Sequence, residues 1–243
     1  MQIIPVLDLL GGVVVRGVRG DRANYRPIAT PLAATAEPLA VARGLLGLGR
    51  FKAMYIADLD AIAGRAPDAA ALAALCAAFP ATEFWLDAGV ATAAAARALL
   101  KNPQVTVVLG SESVEDASVV AAFAGDSRAV LSLDFRGGDF VGPPALAEAA
   151  DLWPARVIAM TLARVGSGAG PDLARLRDIR ARAGKRAVFA AGGVRGAEDL
   201  ERLATAAIDG ALVASCLHDG TLDRAALARF GTQTPPDARA STA

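Results

Sequence analysis

Two kinds of apolar spacing alternate along the chain. Short runs rich in Ile, Val, Leu and Ala end in a small or acidic residue, and between them lie longer stretches where apolar residues recur at helical spacing among Ala and Arg. A short, continuously apolar run suits a strand covered on both faces, and strands alternating with helices suit parallel pairing through crossover helices. The runs predict eight strands: Ile3 to Asp8, Lys52 to Ala57, Glu83 to Asp87, Val105 to Leu109, Ala129 to Asp134, Arg156 to Thr161, Ala187 to Ala190 and Gly210 to Val213. The intervals predict helices, among them Pro38 to Leu48, Asp68 to Phe79, Asp172 to Ala183 and Ala197 to Ala204.

The second half of this pattern repeats the first. Leu7-Asp8-Leu9-Leu10-Gly11-Gly12 returns as Leu133-Asp134-Phe135-Arg136-Gly137-Gly138; Ala88-Gly89-Val90 returns as Gly192-Gly193-Val194; Val108-Leu109-Gly110-Ser111 returns as Leu212-Val213-Ala214-Ser215. The last two pairs keep the same spacing in each half, and three matches in one order report duplicated architecture. The expected fold is therefore α/β: a (β/α)8 TIM barrel built from two duplicated half-barrels, one domain over residues 1–231. The tail at 232–243, with Pro235-Pro236 and small polar residues, is expected to be disordered.

Composition narrows the function. Of 243 residues, 54% are hydrophobic and 5% aromatic, enough for a large core of Ala, Leu and Val, and no linker-like stretch divides the chain. Lys plus Arg equals Asp plus Glu at 25 each, without a basic stripe, so nucleic acid is not an expected partner. Asp8 comes too early for a signal-peptide core and the Ala-rich helix stops at Pro80, so a cytoplasmic protein away from membranes is expected. Cys76 and Cys216 lack metal or redox spacing and sit among apolar residues, and no His/Cys/Glu cluster has metal spacing, so neither metal nor cofactor is expected. Oligomeric state is left open by the sequence.

In such a barrel, function sits at the C-terminal ends of strands and in the loops that follow. Asp8 and Asp134 end the first and fifth strands, which lie opposite each other in a ring of eight. Alone, an Asp before Gly-Gly reads as a turn cap; as a pair across the mouth, two carboxylates can share acid and base roles. Gly192, Gly193 and Arg195 after strand seven, with Ala214 and Ser215 after strand eight, present backbone N–H groups suited to a phosphate. Gly89, Gly110 and Ser111 mirror them as a second, weaker site. Opposed anion sites imply a small, sugar-like substrate with phosphate at each end. Asp58 and Asp60 follow strand two, one facing the mouth and one supporting a loop. Arg16, Gly20 and Asp21 lie in a long segment after strand one that reads equally as a lid or as solvated surface. His218, the sole histidine, is read as structural.

Taken together, Pro5-Val6-Leu7-Asp8-Leu9, Gly11-Gly12, Val14-Val15-Arg16, Asp58-Leu59-Asp60-Ala61, Ser132-Leu133-Asp134, Thr161 and Gly192-Gly193-Val194-Arg195 resemble the histidine-biosynthesis barrels, above all the ProFAR isomerases. The resemblance runs from Ile3 to about Phe230. It implies an Amadori rearrangement, an aldose-to-ketose isomerisation of a bisphosphorylated aminoaldose without metal or cofactor. Asp8 would be the general base at C2, Asp134 the acid that opens the ribose ring, and Thr161 a positioning residue. Gly89, Gly110 and Ser111 would hold one phosphate and Gly193, Ala214 and Ser215 the other, with Arg16, Asp58, Arg195, Gly166 and Ser167 as further substrate contacts.

The chain departs from that pattern at three places. Val165-Gly166-Ser167 stands where the family has Asp-Gly-Thr, Ala88-Gly89-Val90-Ala91 where it has Gly-Gly-Ile-Arg, and Gly142-Pro143-Pro144 near a usual Trp. These losses all touch substrate binding, so the chain also resembles divergent relatives that stand beside C1-carrier (methanopterin or methanofuran type) cofactor genes. A different phosphorylated metabolite, a non-catalytic barrel subunit, and an ammonia-using cyclase requiring a glutaminase partner are the alternatives, since fold alone does not fix chemistry.

Overall fold

The computed structural model describes residues 1–232, so the expectation for the C-terminal tail falls, but for Thr232, outside the described residues. Eight parallel strands form the barrel: β1 Gln2–Leu10, β2 Ala53–Asp58, β3 Glu83–Asp87, β4 Val105–Gly110, β5 Ala129–Arg136, β6 Arg156–Thr161, β7 Ala187–Ala191 and β8 Gly210–Val213. Each pairs with the next. β8 returns to β1 with Gln2 opposite Gly210 and Pro5 opposite Val213, which closes the barrel.

The helices that follow the strands are α1 Pro38–Leu46, α2 Ala69–Ala78, α3 Ala93–Leu99, α4 Ala117–Ala121, α5 Pro144–Glu148, α6 Leu173–Arg182, α7 Ala197–Thr205 and α8 Arg224–Arg229. Their starts are set by side chains that accept the orphan N–H groups of the first turn. Asp68 accepts from Ala71, Thr92 from Ala95, Asp172 from Arg175 and Asp223 from Ala226. Asp68 and Asp172 therefore stand just outside the helices that the periodicity predicts to begin with them.

The twofold alternation of a strand sorts side chains between lumen and outer layer. Ile4, Tyr55, Trp85, Val108, Val130, Ile158, Phe189 and Leu212, one from each strand, fill the lumen. Leu7, Ile56, Phe84, Leu109, Leu131, Val157, Val188 and Ala211 face the helices in a second, larger core. Trp85 meets Phe189 edge-on at 4.9 Å between ring centroids and plugs the lower lumen.

Three short strands were not predicted. Val13–Arg16 pairs antiparallel with β1 and with Arg26–Pro27, and Asp139–Val141 pairs antiparallel with β5. The Gly-Gly pairs after Asp8 and Asp134 are tight hairpin turns. Gly11 and Gly12 have φ of 59° and 79°, the left-handed conformation that a two-residue hairpin needs. The excursion after β1 then folds back over the mouth, where the Arg19 N–H donates to the Val165 carbonyl at 2.8 Å.

Candidate active site

A cavity of about 530 Å³ opens at the C-terminal ends of the strands. Strand parity decides which side chains reach it. On β1, Asp8 is in phase with lumen residues Ile4 and Val6; on β5, Asp134 is in phase with Val130 and Ser132; on β3, Asp87 is in phase with Trp85. All three carboxylates line the cavity, with Tyr55 and Ala57 from β2 between them.

Asp8 accepts no hydrogen bond among the described residues, so it does not act as a turn cap. The backbone of Gly17 lies directly over it. A Cβ at Gly17 would sit 2.8 Å from Asp8 Oδ2, so a side chain there would push the Asp8 carboxyl aside. Burial raises the Asp8 carboxyl to about 7, with Arg22 pulling it down and Asp87 pushing it up. Asp134 is the more firmly held. Ser132 Oγ donates to its Oδ1 at 2.7 Å, the Glu112 N–H donates to Oδ2 at 3.1 Å, and its own N–H donates to Ser111 Oγ at 2.9 Å. Burial, reinforced by the Asp87 charge, also raises Asp134 to about 7 against the hydrogen bond from Ser132. Two carboxyls near neutrality on opposite strands can provide one acid and one base at the same pH.

The two anion cradles expected from the sequence differ. In the second half Gly192, Gly193, Val194, Ala214 and Ser215 all line the cavity. Gly193 has φ of 89°, and the N–H groups of Gly193, Val194, Ala214 and Ser215 have no acceptor among the described residues. In the first half Gly89, Gly110 and Ser111 do not line it. The Gly89 N–H donates to Asp87 Oδ1 at 3.3 Å, the Ser111 N–H to the Ser132 carbonyl at 2.8 Å, and Ser111 Oγ sits 2.6 Å from the Val141 carbonyl as its donor. The donors expected there for phosphate are used internally, and Asp87 and Glu112 occupy that side of the cavity.

Other expected contacts separate in the same way. Arg16 and Gly166 line the cavity, whereas Ser167, Asp58 and Thr161 do not. Ser167 Oγ donates to the Arg164 carbonyl at 2.8 Å. Asp58 and Thr161 are one residue out of phase with lumen residues Ala57 and Met160, so they point outward. Asp58 accepts from the N–H groups of Ala61 and Asp68, and Asp60 from those of Gly11 and Arg65. Neither strand-two aspartate faces the mouth. Thr161 Oγ1 lies 3.4 Å from Arg175. Arg195 reaches the rim, but Asp199 engages its guanidinium at 2.7 and 2.8 Å. His218 is buried against Thr30 and burial lowers it to about 4, so it is neutral at pH 7; burial raises the Cys216 thiol to about 12.

Sequence reading missed Asp87, Glu112, Tyr55, Arg22 and Arg136 as cavity residues. Glu112 accepts from Arg22 at 2.6 Å and from Arg136 at 3.4 Å, joining the excursion after β1 to the hairpin after β5. Parity along Glu83-Phe84-Trp85-Leu86-Asp87 could have found Asp87. Among the described residues, no group of three or more His, Cys, Asp or Glu is placed to hold a metal ion, and no helix is long and apolar enough to cross a membrane.

Residues 2–223 match the family model described as histidine biosynthesis protein. An uncharacterized protein of Methanocaldococcus jannaschii is 26% identical over 231 residues, covering 92% of this chain and 96% of its own. The 1-(5-phosphoribosyl)-5-((5-phosphoribosylamino)methylideneamino)imidazole-4-carboxamide isomerase of Paracoccus denitrificans is 32% identical over 239 residues, with 92% and 96% covered. That of Myxococcus xanthus is 29% identical over 242 residues, with 94% and 98% covered. A closed eight-stranded barrel whose match runs from its first strand past its last thus belongs to the histidine biosynthesis protein family.

Proposed function

We propose that the chain is an enzyme, an aldose–ketose isomerase that performs an Amadori rearrangement on a phosphorylated aminoaldose by aspartate general acid/base catalysis. The observation that carries this reading is the pair Asp8 and Asp134, on opposite strands of one cavity, each with a carboxyl near 7. Protonated Asp134 gives its proton to the ring oxygen as the C1–O bond breaks and the nitrogen lone pair forms C1=N. Ionised Asp8 removes the C2 proton, and the C2–H electrons move into C1=C2 while the C=N pair returns to nitrogen. Reprotonation at C1 and loss of the C2 hydroxyl proton leave the aminoketose, an isomer of the starting compound. The free N–H groups of Gly193, Val194, Ala214 and Ser215 support phosphate binding on the second-half side. The lid over Asp8 supports exclusion of water from the imine.

Within this reaction class, the closed first-half cradle favours a substrate other than ProFAR, because ProFAR brings a second phosphate. Purified protein is assayed with ProFAR and with N-substituted phosphoribosylamines that lack the second phosphate, alongside Asp8→Asn. Turnover of any of these that disappears in a folded, ligand-binding Asp8→Asn establishes the isomerase. Turnover unchanged by Asp8→Asn removes Asp8 from the chemistry, and absence of turnover throughout overturns the reading.

A further inference from the structure

The mouth of the barrel is chemically lopsided. On the β7–β8 side, four residues that line the cavity carry backbone N–H groups without acceptors among the described residues. On the β3–β4 side, Gly89, Val90, Gly110 and Ser111 do not line the cavity, and the Gly89, Ser111 and Glu112 N–H groups are consumed by Asp87, Ser132 and Asp134.

Asp87 and Glu112 line the cavity on that side, together with Arg22 and Arg136. Among the described residues Asp87 has no basic partner; its donors are the Tyr55 hydroxyl at 3.0 Å and the Gly89 N–H at 3.3 Å. The two arginines within reach, Arg22 and Arg136, are both tied to Glu112. A phosphate placed beside Asp87 and Asp134 would be opposed by their like charge in a desolvated pocket, an arrangement that costs rather than stabilises. The neighbouring Asp8 carboxylate accepts no hydrogen bond among the described residues and lines the same cavity, so this region suits a donor brought by a ligand. The acids are too dispersed for a metal cage, since no three of them converge on a metal position among the described residues. An organic cation matches that separation.

Resting on the aminoaldose reading, we infer that the substrate carries a single phosphate, held by the Gly193–Ser215 cradle, and that its nitrogen substituent ends in a cationic amine received by Asp87. The reacting atoms fix the order. Phosphate lies on the β7–β8 side, C1 and C2 lie between Asp8 and Asp134, and the substituent on nitrogen extends to the β3–β4 side. There a relative acting on a bisphosphate requires an anion site, and this chain presents acid. Asp87 is thus a specificity-determining residue.

Two stable ligands separate the possibilities. Reductive amination of ribose 5-phosphate with 1,2-diaminoethane gives an amine-ended ribitol phosphate, and with O-phosphoethanolamine a phosphate-ended one with the same two-carbon spacer. Calorimetry at pH 7.5 on the full chain should show the amine-ended compound binding at least tenfold more tightly. In Asp87→Asn that preference should fall below threefold, while Ser215→Asp should weaken the amine-ended compound through its phosphate. The wild-type comparison stands even where a variant fails to fold. Equal affinities, or tighter binding of the phosphate-ended compound, overturn the inference and leave the isomerase reading intact. Failure of both to bind overturns the aminoaldose reading and the inference with it.

Discussion

Asp8, Asp87 and Asp134 have carboxyls raised to about 7, 6 and 7, and the sign of those shifts separates rate from stability. Each group binds its proton more tightly folded than unfolded, where the ordinary value is 3.8. Their stabilising contribution is therefore complete below pH 4 and is lost as pH rises through 6 to 7. Asp8→Asn should abolish turnover yet melt higher than the parent at pH 8, by about 2–4 °C per kcal/mol relieved, and show no such gain at pH 4. Paired scanning calorimetry at the two pH values checks this, and a lower melting temperature at pH 8 would contradict it. Turnover needs one carboxyl ionised and the other protonated, so kcat/KM should peak near pH 7 and fall about tenfold per unit on each flank. The repeated Asp-x-x-Gly-Gly made Asp8 and Asp134 legible in the sequence. Asp87 was not, because a strand-ending aspartate two residues before a glycine looks like a turn residue until its lumen neighbours are known.

Beyond its hairpin pairing with β1, the excursion after β1 is tied across the mouth by the Arg19 N–H to Val165, the close approach of Gly17 to Asp8, and the Arg22–Glu112 pair at 2.6 Å. Glu112 is largely buried and Arg22 about one-third exposed, so the pair latches the excursion while adding at most about 1 kcal/mol to global stability. Glu112→Ala should speed tryptic cleavage at Arg19 and Arg22 several-fold and shift the melting temperature by no more than a few degrees. Unchanged cleavage would show that Glu112 does not hold the lid. The strands that carry this site were legible to within two residues at each end, because a lumen and a helix layer leave continuous apolar runs. The hairpins were not, because strands of two to four residues carry no usable period. Their signal lay in the Gly-Gly turns, which permit either a loop or a hairpin.

For the whole molecule, the barrel depends on two concentric cores rather than one. Leu7 is fully buried among the outer residues, between β1 and the helices. Leu7→Ala should cost about 2–5 kcal/mol, measured by urea denaturation, since the rigid strand cannot collapse into the space. A cost below 1 kcal/mol would mean that the outer layer is loosely packed. The alternation of strands and helices made this architecture readable, whereas the charge asymmetry of the mouth arises only when distant strands are placed side by side.

The seam between β1 and β8 joins residues at opposite ends of the barrel sequence, Gln2–Pro5 to Gly210–Val213. During synthesis the first strand leaves the ribosome long before its last partner exists. Until then β1 and the growing opposite edge both carry unpaired N–H and C=O groups beside apolar side chains, the template on which chains aggregate. Closure of so long a loop is also slow relative to local helix formation. The nascent chain therefore spends most of its synthesis as an open sheet, and its yield in a cell depends on protecting two edges that the finished barrel does not have.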